Sequence, residues 1–97
     1  MASVKYLKKE IDYLTSAVVS DCINVSFFSK ENVDDALAAI VNDIVSVRNE
    51  IRIRIADGKR VEKKDRKAFY SQIAKDMLAK SDECFSKLSD LVKEENK

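Results

Sequence analysis

Residues 33–55 read VDDALAAIVNDIVSVRNEIRIRI. Val33, Leu37, Ile40, Ile44, Val47 and Ile51 recur at alternating steps of four and three. That spacing sets six branched aliphatic side chains along one stripe of a helix. Val41, Val45 and Ile55 widen the stripe toward a second side. An apolar face this wide needs a partner on each flank, and the segments before and after it must supply them. The last five residues, Ile51 to Ile55, alternate as a strand would. A lone short strand has no sheet to join, so the reading is a helix over about 31–56.

Upstream, Val4, Leu7, Ile11, Leu14, Val18, Val25 and Phe28 keep a similar rhythm, with Ala17, Cys22 and Phe27 beside them. They predict a first helix over roughly 3–28 with a bundle-like seam. Asp21 interrupts that seam. The joint Ser29-Lys30-Glu31-Asn32 offers Ser29 or Asn32 as an N-cap. Glu31, Asp34 and Asp35 then favour the positive end of the second helix dipole. So short a joint makes the first two helices an antiparallel hairpin.

Downstream, Asp57-Gly58 supplies a stop, with Gly58 suited to the left-handed position after a helix. Arg48, Arg52 and Arg54 near that end complement the dipole. A charged connector, Lys59 to Lys64, contains one apolar residue, Val61. A third helix is expected to start around 61–66, with Asp65 as a cap, and to run to about 94. Its apolar positions are Phe69, Ile73, Ala74, Met77, Leu78, Cys84, Phe85, Leu88, Leu91 and Val92. The pattern thins at Lys80-Ser81-Asp82-Glu83, where Ser81 could cap a fresh helix and so kink or split the third helix near 80–82. Glu94 to Lys97 should fray.

The expected fold is therefore all-α, an antiparallel up-down-up three-helix bundle forming a single domain over residues 1–97. Composition agrees: proline is absent, Gly58 is the only glycine, and 45% of residues are apolar against 36% charged. All-β domains need more turn residues, and disordered chains carry fewer apolar ones. The longest apolar runs fall far short of the roughly 20 residues that span a bilayer, so no membrane is expected. Lys5, Lys8 and Lys9 are followed by Glu10 and Asp12 where a signal peptide would be apolar, so a cytoplasmic location is expected. Two cysteines, Cys22 and Cys84, are too few for a disulfide framework.

Histidine is absent. That removes most catalytic triads, histidine bases and common zinc sites. One glycine cannot build a phosphate loop, and no E-x-x-H pair exists for a di-iron bundle. The sequence thus reads as non-catalytic, with no cofactor, no metal and no small-molecule substrate evident.

Four features remain for function. Residues 48–67 hold nine basic side chains against four acidic ones, a net +5 at the turn between the second and third helices. Arg52, Arg54, Lys59, Arg60, Lys63, Lys64 and Lys67 are candidates for contact with phosphates or an acidic partner. No aromatic platform for bases falls within the segment, and exposed turns are often basic for solubility. Asp21, by its height along the bundle, falls near Lys80, and a pair there could set helix register; otherwise the seam opens and Asp21 is hydrated. Cys22 and Cys84 lie at similar heights and could meet, although buried cysteines usually act as small hydrophobes. Finally, Tyr13, Phe27, Val41, Val45 and Ile53 are surplus to a minimal three-helix core, and a symmetric dimer would cover them.

The opening Tyr6-Leu7-Lys8-Lys9-Glu10-Ile11-Asp12-Tyr13-Leu14, with Asp21-Cys22 beyond it, resembles the start of small helical proteins of unknown function from Bacteroidetes-type bacteria. The resemblance covers the first helix. It implies a bacterial cytosolic protein with no assigned activity, so it carries over no functional residue. The expected function is a small helical interaction or scaffold protein that self-associates, as a homodimer, or binds another protein. The alternative is a nucleic-acid-binding module using the basic tip.

Overall fold

The computed structural model describes residues 4–29 and 33–95. Three helices carry nearly all of them: α1 Val4–Phe28, α2 Asp34–Asp57 and α3 Lys63–Glu95, with a 3-10 turn at Gly58–Arg60 before α3. All three pack on one another in a rod of 52 × 18 × 16 Å. Ion pairs give the directions. Asp12, early in α1, meets Arg48 and Arg52, late in α2. Along α2, Asp43 and then Arg54 meet Lys80 and Asp76 of α3, in reversed order along α3. Each consecutive pair is therefore antiparallel, and α1 and α3 run parallel, as the short joints between them predict.

The wide face of α2 is the centre of the core. Leu37, Ile40, Ile44, Ile51 and Ile55 are buried, and Ile44 is fully so. They meet Ile11, Val18 and Cys22 from α1 and Ile73, Met77, Cys84 and Leu88 from α3. Val33, Val41 and Val47 pack at the margin of this cluster. The alternating Ile51–Ile55 segment is helical. Alternation there leaves Ile51 and Ile55 inside, one turn apart, and turns Ile53 out at 65% exposure.

Several local expectations need correction. Cys22, not Asp21, takes the inward step between Val18 and Val25: Cys22 is buried and Asp21 exposed. Phe28, placed in the seam by its spacing, is 84% exposed at the last turn of α1. On α3, Leu78 and Val92 lie outward. The cap position of α2 is Val33, with no side-chain cap bond, followed by Asp34 and Asp35 in the first turn. Asn32 and Glu31, offered above as cap and dipole partner, lie outside the described residues, as do Asn96 and Lys97 of the tail expected to fray. Asp65 sits inside the first turn of α3 rather than at its cap.

Helix α3 runs unbroken through Ser81. The expected split near 80–82 is absent: the Ser81 hydroxyl turns inward and donates to the Met77 carbonyl one turn back, at 2.9 Å, instead of capping a new helix. That bond satisfies a fully buried hydroxyl within the helix and leaves nothing to cap.

Gly58 ends α2, but not in the left-handed region: its φ is −57° and ψ −24°, and its N–H donates to the Ile55 carbonyl. The chain tightens into the 3-10 turn instead of reversing. Glycine is required there by space. A Cβ on Gly58 would fall on the phenol of Tyr70, whose ring packs edge-on to Phe69 at 5.5 Å. Overpacking of this kind costs about 1–3 kcal/mol. Gly58→Ala should therefore lower the urea midpoint with an unchanged slope, and should cost much less in a Tyr70→Ala background, where the ring is gone.

Candidate functional site

The basic segment folds into the α2–α3 end of the rod, and the bundle itself uses half of it. Arg48 donates from Nε to Asp12 at 3.0 Å, and Arg52 donates from a terminal nitrogen to the other oxygen of the same carboxylate at 2.7 Å. The two arginines stand four residues apart on the α1-facing flank of α2, so one aspartate receives both. Arg54, on the opposite flank, pairs with Asp76 of α3 at 2.9 Å. The Gln72 amide donates to the same carboxylate at 2.8 Å. Arg66 clamps the turn by donating to the Val61 and Lys59 carbonyls at 2.9 and 3.3 Å. Lys64 reaches Glu62 at 3.4 Å, with both side chains mostly exposed.

Of the seven expected contact residues, Arg52 and Arg54 are thus bound up in interhelical pairs and Lys64 sits beside a carboxylate. Lys59, Arg60, Lys63 and Lys67 remain exposed around the 3-10 turn and the start of α3. The sequence signal for this division was the i, i+4 spacing of Arg48 and Arg52, which places both on one flank.

Asp21 and Lys80 do not pair. Lys80 lies on the α2-facing flank of α3 with Asp76, Glu83 and Lys87, at spacings of four, three and four. Its ammonium bonds Asp43 at 2.7 Å and Glu83 at 3.3 Å. Asp21 lies instead beside the shallow α1–α3 groove with Phe85 and Ser89, about a turn beyond Lys80. Of the two readings of Asp21, the structure places the carboxylate in solvent. The interhelical partner of Lys80 is Asp43 of α2, a residue that the sequence pattern did not single out.

These pairs shift the titration of their members. Burial pushes the Asp12 carboxyl up, and the Arg48 and Arg52 guanidinium groups more than reverse this, leaving it below the ordinary range. Bonds from Gln72 and Arg54 lower Asp76, and bonds from Lys80 and Lys87 lower Glu83. The bond to Asp43 raises Lys80.

Cys22 and Cys84 are both reduced and buried. Burial pushes both thiols up, and for Cys22 the nearby Cys84 adds to the effect. The two sulfurs therefore share one region of the core as protonated, poorly nucleophilic groups. Among the described residues, no group of three metal-ligating side chains occurs, and no helix is long and apolar enough to cross a membrane.

The apolar surplus is real and uneven. Tyr13 and Ile53 are 71% and 65% exposed, while Val41 packs against the core. Four of the exposed residues share one face of α1: Tyr6, Tyr13, Ile23 and Phe27. Compared with known proteins, the chain matches no family model, no curated protein and no solved structure.

Two outcomes test the electrostatics. A lowered carboxyl contributes stability that is complete above the unfolded value, about pH 3.9, and is lost as pH falls through the folded value. Acid unfolding of the wild type should therefore steepen below pH 4, and Asp12→Asn should flatten that slope. The Asp12, Arg48 and Arg52 side chains are 43%, 34% and 36% exposed, so solvent screens them. At about 0.2–1 kcal/mol per exposed pair, Asp12→Ala should cost about 1 kcal/mol by urea titration.

Proposed function

We propose that the chain is a small, non-catalytic, cytosolic interaction protein that self-associates. The observation that carries this reading is the set of large apolar side chains held in solvent: Tyr13, Phe27 and Ile53 are 71%, 80% and 65% exposed. Tyr13 and Phe27 share the outer face of α1, and large apolar side chains gathered on one face mark association sites more often than they serve a monomer. The absence of histidine and the shallow, open character of the interhelical grooves support a binding role over catalysis. The likeness of Tyr6–Leu14 to small helical bacterial proteins without assigned activity fits the same reading.

A second reading keeps one observation of its own. Lys59, Arg60, Lys63 and Lys67 are exposed together around the 3-10 turn and the start of α3. Such a tip can hold backbone phosphates, with binding that falls steeply with salt. Four cations give it a narrower footprint than the nine of the segment suggest.

Sedimentation velocity over a hundredfold concentration range should show a reversible shift from monomer to dimer. Titration of labelled duplex DNA and single-stranded RNA at low salt should show no binding that Arg60→Glu/Lys63→Glu/Lys67→Glu abolishes. Micromolar, salt-sensitive binding lost in that triple variant would instead establish the phosphate-binding tip.

A further inference from the structure

Helix α1 carries two seams. The inward one runs through Ile11, Val18 and Cys22. Opposite it, positions 6, 9, 13, 16, 20, 23 and 27 repeat the three-four spacing on the outside: Tyr, Lys, Tyr, Ser, Ser, Ile and Phe. All seven are exposed, with Tyr6, Tyr13, Ile23 and Phe27 at 71%, 71%, 52% and 80%. Four of the seven are large and apolar, at steps of seven, ten and four, so they form an interrupted apolar stripe along the outside of the helix, a face that a packed partner would cover. We infer that the outer face of α1 is a homodimer interface in which two copies of α1 pack antiparallel, with the twofold axis passing beside Ser16. The inference rests on the self-association reading above and specifies its surface and direction.

Three observations select a second copy as the occupant. The first is charge. Helix α1 has Lys5 in its first turn, no acidic residue there, and no basic residue in its last turn. Both ends therefore lack the charges that a helix dipole favours. An antiparallel copy brings Lys5 and Lys9 alongside the C-terminal turns of its partner, supplying the missing cations to each helix in turn. Parallel pairing would instead set Lys9 against its own equivalent.

The second is size. Large side chains occupy the two ends of the stripe and small serines its middle. Reversing one copy places the Tyr6 end against the Phe27 end and seats Tyr13 over the small Ser16–Ser20 region. The serines let the helices approach closely at the axis. The stripe is thus complementary to its own reverse, which a twofold interface requires.

The third is area. Tyr6 and Phe27 are 21 residues apart, about 31 Å along the axis. Three mostly exposed aromatics at about 150–250 Å² each, with Ile23, give roughly 500 Å² of apolar surface per copy. A stable dimer buries about 800 Å² per partner. The stems of Lys5 and Lys9 and the serine edges lie in position to contribute the remainder.

Cysteine cross-linking of the full chain tests the geometry. Tyr6→Cys and Phe27→Cys chains, each alone under mild oxidation, should stay largely monomeric on non-reducing gels. Mixed, they should give a covalent heterodimer. Ser16→Cys, next to the axis, should link to itself. The wild type, with its two buried thiols, serves as control and should form no intermolecular link. In sedimentation, Tyr13→Glu and Phe27→Glu should weaken the dimer by about tenfold or more. Ile53→Glu, on the outer side of α2, should leave it intact. These sites are exposed, so the variants should keep the wild-type circular dichroism.

Self-linking of Tyr6→Cys would overturn the antiparallel arrangement. A dimer indifferent to Tyr13→Glu and Phe27→Glu would overturn the α1 interface while leaving self-association standing. A monomer at hundreds of micromolar would overturn both.

Discussion

Everything in this bundle depends on how α2 is flanked. Its apolar face is too wide for one neighbour, so Ile44 and its companions bury only when α1 and α3 close on both sides. Polar contacts line the two margins of that face. On the α1 side, Asp12 receives Arg48 and Arg52. On the α3 side, Asp43 receives Lys80, and Arg54 reaches Asp76. Each pair is half-exposed, so its net contribution to stability is small. Their geometric effect is larger. Asp43–Lys80 and Arg54–Asp76 run in opposite order along α2 and α3, which only antiparallel helices allow, and sliding by a turn would break these contacts together.

This use of charge alters how the basic segment reads. Nine cations gathered in twenty residues resemble a phosphate-binding surface when counted along the chain. Folded, the arginines are mostly drawn inward: three bridge helices and one clamps the turn. Arginine suits these roles because its planar, multi-donor head can hold a carboxylate while its stem packs on apolar surface. Arg52 does so at a cost, since its Nε is buried without a hydrogen-bond partner. The lysines, with compact hydrated heads, stay at the exposed tip.

The same economy explains the outer face of α1. A chain of this length buries a modest fraction of its surface, and a three-helix arrangement consumes one broad stripe per helix. Helix α1 has one such stripe inside and a second, aromatic one outside. Folding alone leaves the second exposed, and association between chains would remove it from water. The two processes would draw on different faces of one helix, so the core could change without touching the proposed interchain contact.

The sequence alone determined the class and count of helices, their order and most of the core. These follow from backbone sterics and periodicity: one glycine, no proline, and apolar steps of three and four leave a chain few other ways to bury Leu37, Ile44, Ile73 and Met77. It also marked Tyr13 and Phe27 as surplus, because they sit off the seam. Only the tertiary structure decided which of two neighbouring residues turned inward, and which partner a charge chose. Asp21 and Cys22 differ by one position, about 100° of helix, and desolvation cost sent the thiol in and the carboxylate out. Lys80 could be placed at a height from sequence, but its bearing around α3 toward Asp43 depended on how the helices docked. Gly58 shows the same limit: its glycine answers to the ring of Tyr70, twelve residues away, not to the local turn.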